Sequence, residues 1–213
     1  ASDAQCCARP AALQRLAQHW ASLANVPRDA PAGTNVPPVD SPERAAHLAR
    51  ARELWTTFAC ESRGIARDSA LTAYLSTFPT EAERRALLTA VSAGAIPNEA
   101  VSALLAASLS TRLAGHAAAA QAFARVIALE PENLAAREAR VRALGRAKDT
   151  AGALQALDEL LRRDPRRRTE LLLERAKLLI DARRVNDSHD ALARAAAAAR
   201  HSPDALREVA ALY

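Results

Sequence analysis

The strongest constraint on this chain is a recurring acidic-proline stop that closes successive amphipathic helices. One helix-like run ends Ala-Phe-Ala-Arg-Val-Ile-Ala-Leu-Glu-Pro at Pro131, and another ends Leu-Asp-Glu-Leu-Leu-Arg-Arg-Asp-Pro at Pro165, 34 residues later. A third closes at Pro203, 38 residues beyond Pro165, which predicts the same unit lengthened by about one helical turn. Each proline halts a helix because it lacks an amide proton and restricts the residue before it. A chain that repeats helix, break, helix and stop at fixed spacing buries its apolar faces between neighbouring units.

The second unit shows the pattern most clearly. The run from Ala135 to Gly145 places Ala136, Ala139, Ala143 and Leu144 on one stripe, with Arg137, Arg140 and Arg146 elsewhere. A break follows, where Asp149 or Thr150 is placed to cap the next helix. That partner helix carries Ala153, Leu154, Leu157, Leu160 and Leu161 at helical spacing. The small Ala153 allows a close helix crossing. Ala119, Phe123 and Val126 take the matching offsets in the first unit, and Ala191, Ala195 and Ala198 in the third. Over residues 101–213 the chain resembles the tetratricopeptide repeat family, in its period and in the Ala, Phe/Leu and acidic-Pro positions of the second helix. It departs from that family in the first helix, where Trp, Gly and Tyr are common. The resemblance implies an all-α fold, an α-solenoid of antiparallel helix pairs wound as a right-handed superhelix. Three units would be followed by a terminal helix carrying Leu206, Val209, Ala210 and Tyr213.

Composition agrees with an all-α fold. Half of the chain is hydrophobic but only 3% is aromatic, and there are six glycines, so Ala, Leu and Val in closely packed helices must build the core. Residues 1–40 read as a helix over Pro10 to Leu23, with Leu13, Leu16, Trp20 and Leu23 on one face, followed by a Pro-rich strap. Residues 41–100 read as irregular helical hairpins, either degenerate repeats or a cap for the array. In them Ser41 caps a helix to about Ser62 with Leu48, Leu54, Trp55, Phe58 and Ala59 facing inward. Asp68 is placed to cap a shorter helix to Phe78. Thr80 and Glu83 have capping-box spacing for another that Gly94 stops. One continuous solenoid is expected rather than two separate domains.

The formal charge is +5, carried by arginine, since Lys148 and Lys177 are the only lysines. Such an Arg and Ala bias is expected of a GC-rich bacterial genome. The chain has no Met and begins Ala-Ser-Asp-Ala, as a processed or excised chain would, and that start suits signal-peptidase cleavage. A periplasmic or otherwise exported setting follows, with the cytoplasm as alternative. No apolar run approaches the length of a membrane span. Cys6, Cys7 and Cys60 leave three readings open: a disulfide from Cys60 to Cys6 or Cys7, free thiols, or metal and redox chemistry.

No catalytic constellation is present in the sequence. His19, His47, His116, His189 and His201 are dispersed, without a His-Glu-x-x-His pattern, a Gly-x-Ser-x-Gly elbow or a phosphate-binding glycine loop. A non-enzymatic role without cofactor or metal is expected. The repeat resemblance implies a concave face made by the first helices. Its inward positions fall on Ser102, Leu105, Leu109 and Arg112, then Glu138, Arg142 and Arg146, then Leu173, Ala176, Ile180, Arg183 and Arg184. Such an apolar groove with arginines suits a protein or peptide partner with aliphatic anchors and carboxylates. The bland reading is that Leu105, Leu109 and Ile180 only pack against the N-terminal helices or the strap. Similar repeats serve envelope assembly and export, including exopolysaccharide secretion and cytochrome maturation. The alternative is nucleic-acid binding through Arg162, Arg163, Arg166, Arg167 and Arg168, although aromatic side chains to stack bases are scarce.

Overall fold

A computed structural model describes residues 3–24, 41–199 and 202–212, with side chains from residue 9 onward. Every regular element among them is helical. The chain divides into two compact units, Ala1–Val101 and Ser102–Tyr213. No described helix is long and apolar enough to cross a membrane.

In the N-terminal unit, α1 (Asp3–Ala24) and α2 (Pro42–Glu61) pack as an antiparallel pair. Arg9 meets Glu61 at 2.9 Å at one end, and the Trp20 ring lies 5.2 Å from that of His47 at the other. The buried stripe of α1 runs through Ala17 and Ala24, whereas Leu16 is half exposed. Leu16 therefore does not share the inward face expected of it. Ala fits here because it lets α1 lie close to α2. The helix also starts upstream of Pro10, which stands inside it.

α2 is capped as expected, the Ser41 hydroxyl accepting from the amide of Arg44. Its Ala51, Leu54, Trp55, Phe58 and Ala59 are buried. α3 (Gly64–Ser76) starts four residues before Asp68, because Gly64 takes φ +58° and turns the chain straight from α2 into the next helix. Arg52 fastens the end of α3. Its guanidinium donates to the Thr77 hydroxyl and carbonyl at 3.1 and 2.5 Å and stacks 3.8 Å from the centre of the Phe78 ring. α4 (Glu81–Ser92) opens with the full Thr80–Glu83 capping box.

α5 (Glu99–Leu113) begins with Asn98 accepting from the Val101 amide and carries the chain into the C-terminal unit. There the helices are α6 (His116–Leu129), α7 (Leu134–Arg146), α8 (Thr150–Arg163), α9 (Arg168–Asp181), α10 (Val185–Ala198) and α11 (Pro203–Leu212). Each packs chiefly on its neighbours in sequence. The core is a chain of overlapping clusters. Ala119, Ala120 and Ala143 join α6 to α7. Val141, Leu157, Leu160 and Leu171 join α7, α8 and α9. Leu154, Leu173, Leu192 and Val209 join α8 to α11. This neighbour-to-neighbour core is that of a helical solenoid.

The repeat is more regular than the prolines suggest. α6, α8 and α10 are each 14 residues long. First helices open at Glu99, Leu134, Arg168 and Pro203, spaced by 35, 34 and 35 residues. Pro203 therefore opens α11 and does not close α10, so the expected extra turn does not exist. The third-unit register shifts with it. Ser188, Leu192 and Ala195 are the equivalents of Ala153, Leu157 and Leu160, and all six are buried, while Ala198 is exposed.

Two inter-helix turns follow the same hydrogen-bond scheme. After α7 the Lys148 amide donates to the Gly145 carbonyl and the Asp149 amide to that of Leu144; after α9 Arg183 donates to Ile180 and Arg184 to Leu179. These are Schellman turns, which place one residue in the left-handed region. Lys148 and Arg183 occupy it, with φ of +63° and +57°. Gly94 fills the corresponding place after α4.

Candidate functional site

The flank of α7 that faces α9 carries Glu138, Val141 and Arg142; the facing flank of α9 carries Glu170, Leu171, Glu174 and Lys177. Between them lies a groove of about 260 Å³. The two helices approach closely at one end, where a β-carbon on Gly145 would lie 2.8 Å from Leu178 Cδ2. The floor is aliphatic, made by Val141, Leu157, Leu160, Leu171 and Leu173. All five are well buried, so the floor of the groove is the packed core itself.

The rim is charged. Arg167 donates to Glu138 and, at 2.7 Å, to Glu170. These two carboxylates, Glu170 first, raise the Arg167 pKa and hold its guanidinium charged. Lys177 meets Glu208 of α11 at 2.8 Å. Arg142 stands 3.8 Å from Glu138, which it shares with Arg167. Glu174 has no ion-pair partner among the described residues. The rim thus holds Glu138, Glu170, Glu174 and Glu208 against Arg142, Arg167 and Lys177, an excess of one carboxylate.

Of the residues expected on a concave face, Glu138, Arg142 and Leu173 line this groove. Leu105, Leu109 and Ala176 are core, with 2% exposure or less, and do not line this groove. Arg112 and Arg146 are exposed in the last turns of α5 and α7, and Ile180 is 39% exposed in the last turn of α9. Arg183 sits in its turn, and Arg184 pairs with Asp187 at 2.6 Å and lines a different depression, with Leu154 and Arg194. Of the arginines at 142, 146, 183 and 184, Arg142 and Arg184 border different depressions. The reason is geometric. A groove between two first helices is walled by the forward flank of one and the backward flank of the next, so one set of repeat offsets cannot find both walls. The spacing of Glu170, Glu174 and Lys177 was the available signal.

The Arg162–Arg168 cluster is divided as well. Arg163 pairs with Glu132 at 2.7 Å and Arg167 with two glutamates, which leaves Arg162, Arg166 and Arg168 without a carboxylate among the described residues. No group of three or more His, Cys, Asp or Glu side chains among the described residues is placed to hold a metal. Cys60 lies half-buried on α2, the pKa of its thiol raised by burial and then by the neighbouring Glu61. The side chains of Cys6 and Cys7 lie outside the described residues, as do the Pro-rich strap and His201.

The sequence matches no protein-family model and no curated protein. The likeness to tetratricopeptide repeats rests on the period and on the positions given above.

Proposed function

We propose that the protein is a non-enzymatic interaction scaffold, a divergent tetratricopeptide-type array that holds a segment of another protein in the α7–α9 groove. The observation that carries this reading is the pre-formed leucine floor under a rim of charged side chains, a form suited to an apolar anchor flanked by polar contacts. The excess carboxylate, Glu174, turns the choice of partner from a carboxylate-bearing segment to one with a cation beside its anchor. Arg142 alone among the expected arginines reaches this groove, and Glu138 already faces it.

Peptide-library selection on the full chain tests this. Enriched sequences should place an aliphatic or aromatic residue beside Lys or Arg, and Glu174→Arg should weaken them at least tenfold with helicity unchanged. Peptides that bind wild type and Glu174→Arg equally would remove the groove as the binding surface. The setting proposed for the scaffold is the bacterial envelope, in assembly or export, and rests on composition and the cysteines. Thiol counting on unfolded, unreduced exported protein should find one free thiol; three would remove the disulfide and the oxidising compartment with it.

A further inference from the structure

Neighbouring residues on α8 and α9 face two different depressions. Leu157, Leu160, Glu170 and Leu171 line the groove just described. Around the same helices, Arg162, Arg168 and Arg175 meet Arg194 of α10 over a floor of Leu161 and Leu172, in a depression of about 330 Å³. Its single carboxylate, Asp158, is already bonded to Arg175. Arg162 donates only to the backbone carbonyl of Asp158 in its own helix. Arg168 and Arg194 have no carboxylate partner among the described residues.

Three guanidinium groups without a carboxylate thus border one depression. Arg112, Arg125, Arg140, Arg146, Arg166 and Arg183 of the same unit also lack a carboxylate among the described residues, so what sets this depression apart is that three such guanidinium groups line it together. Three uncompensated guanidinium groups drawn from three helices repel one another, and an anion seated among them reverses the sign of that energy. We propose that this depression binds a phosphomonoester. A phosphomonoester carries about −1.5 to −2 charges at neutral pH and three terminal oxygens. That matches three planar donors better than a carboxylate does, with one charge and two oxygens. The leucine floor receives the organic remainder. A small free phosphate ester and a phosphorylated protein side chain share this chemistry.

The full chain is titrated calorimetrically with phenyl phosphate, benzoate, and a phosphoserine peptide beside its unphosphorylated form. Phenyl phosphate should bind at least tenfold more tightly than benzoate. The Arg162→Gln/Arg194→Gln variant should lose at least tenfold with its circular dichroism unchanged. Arg168→Gln alone, at an exposed position, should weaken binding in the same direction, and Arg166→Gln, outside the depression, should not. A phosphopeptide that outbinds phenyl phosphate makes the ligand protein-borne; phenyl phosphate binding as well or better makes it a small ester. Equal affinity for phenyl phosphate and benzoate, or for wild type and both depression variants, overturns the assignment.

Discussion

Lys148 and Arg183 give the sharpest test of the repeat geometry. Both occupy the left-handed region at φ of +63° and +57°, where a β-carbon crowds the following carbonyl. That crowding costs about 1–2 kcal/mol per residue. Replacing either by glycine removes the crowding but adds unfolded-chain entropy worth about 0.4–1 kcal/mol. The difference leaves a gain of about 0.5–1 kcal/mol for each. Unfolding entropy of roughly 2.1 cal/mol/K per residue gives a unit of about 110 residues roughly 4 °C per kcal/mol. Lys148→Gly and Arg183→Gly should therefore each raise the melting temperature by about 2–4 °C, followed by circular dichroism at 222 nm. The two turns are separate, so the double variant should sum them, to about 4–8 °C. Lys148→Ala keeps a β-carbon and should gain nothing, which separates backbone relief from loss of the lysine side chain. Gly94→Ala gives the reverse case: a β-carbon there meets nothing within 4 Å, so its cost, about 1 kcal/mol, is conformational alone. A glycine variant at 148 or 183 that melts at or below wild type refutes the turn assignment.

Ala153 is fully buried, and Ala153→Leu should overpack the crossing and destabilise by about 1–3 kcal/mol in urea unfolding; an unchanged midpoint refutes the close crossing. Arg137, 7% exposed, donates twice to the Pro131 carbonyl, at 3.2 and 2.8 Å, and stands 3.5 Å from Glu159. Arg137→Met should cost about 2–3 kcal/mol, while Arg140→Met stays within about 0.5 kcal/mol; equal effects would deny Arg137 its tie between the turn and α8. Glu83 accepts from the Thr80 backbone and hydroxyl, which holds its pKa below the usual carboxylate value. A depressed folded-state pKa means that the capping contribution is present at neutral pH and fades as pH falls through that lowered value. Thr80→Ala should move the Glu83 titration upward in NMR, and an unmoved titration refutes the box.

Capping and second-helix packing were legible in the sequence because they are local. Ser41, Thr80 with Glu83, and Asp149 each cap within three residues, and Ala153, Leu157 and Leu160 fall on one helical stripe. The third unit was misread because proline has two helix roles, stop and first residue, and Pro203 takes the second. Nothing nearby corrected this. α10 is so rich in alanine that Leu192 is its only buried large apolar side chain, Val185 being exposed at its start. Arg137 looked like surface because only the fold shows the Pro131 carbonyl beside it; Arg84 makes the same six-residue return to the Phe78 carbonyl at 2.8 Å. The site was legible only in part, since Glu138, Arg142 and Leu173 were placed but the facing wall of α9 was not.

The overlapping clusters of the C-terminal unit also govern how it can form and come apart. Its main helix contacts join elements next to each other in the chain, or one helix removed for α9 and α11. Only short loops must close before burial begins, so loop entropy is small and any one hairpin can serve as nucleus. Growth then proceeds outward by adding single helices. Opening runs the other way, and a helix held by one neighbour can detach while those held from both sides persist. The unit therefore has a graded set of local opening energies lying below that of its global unfolding.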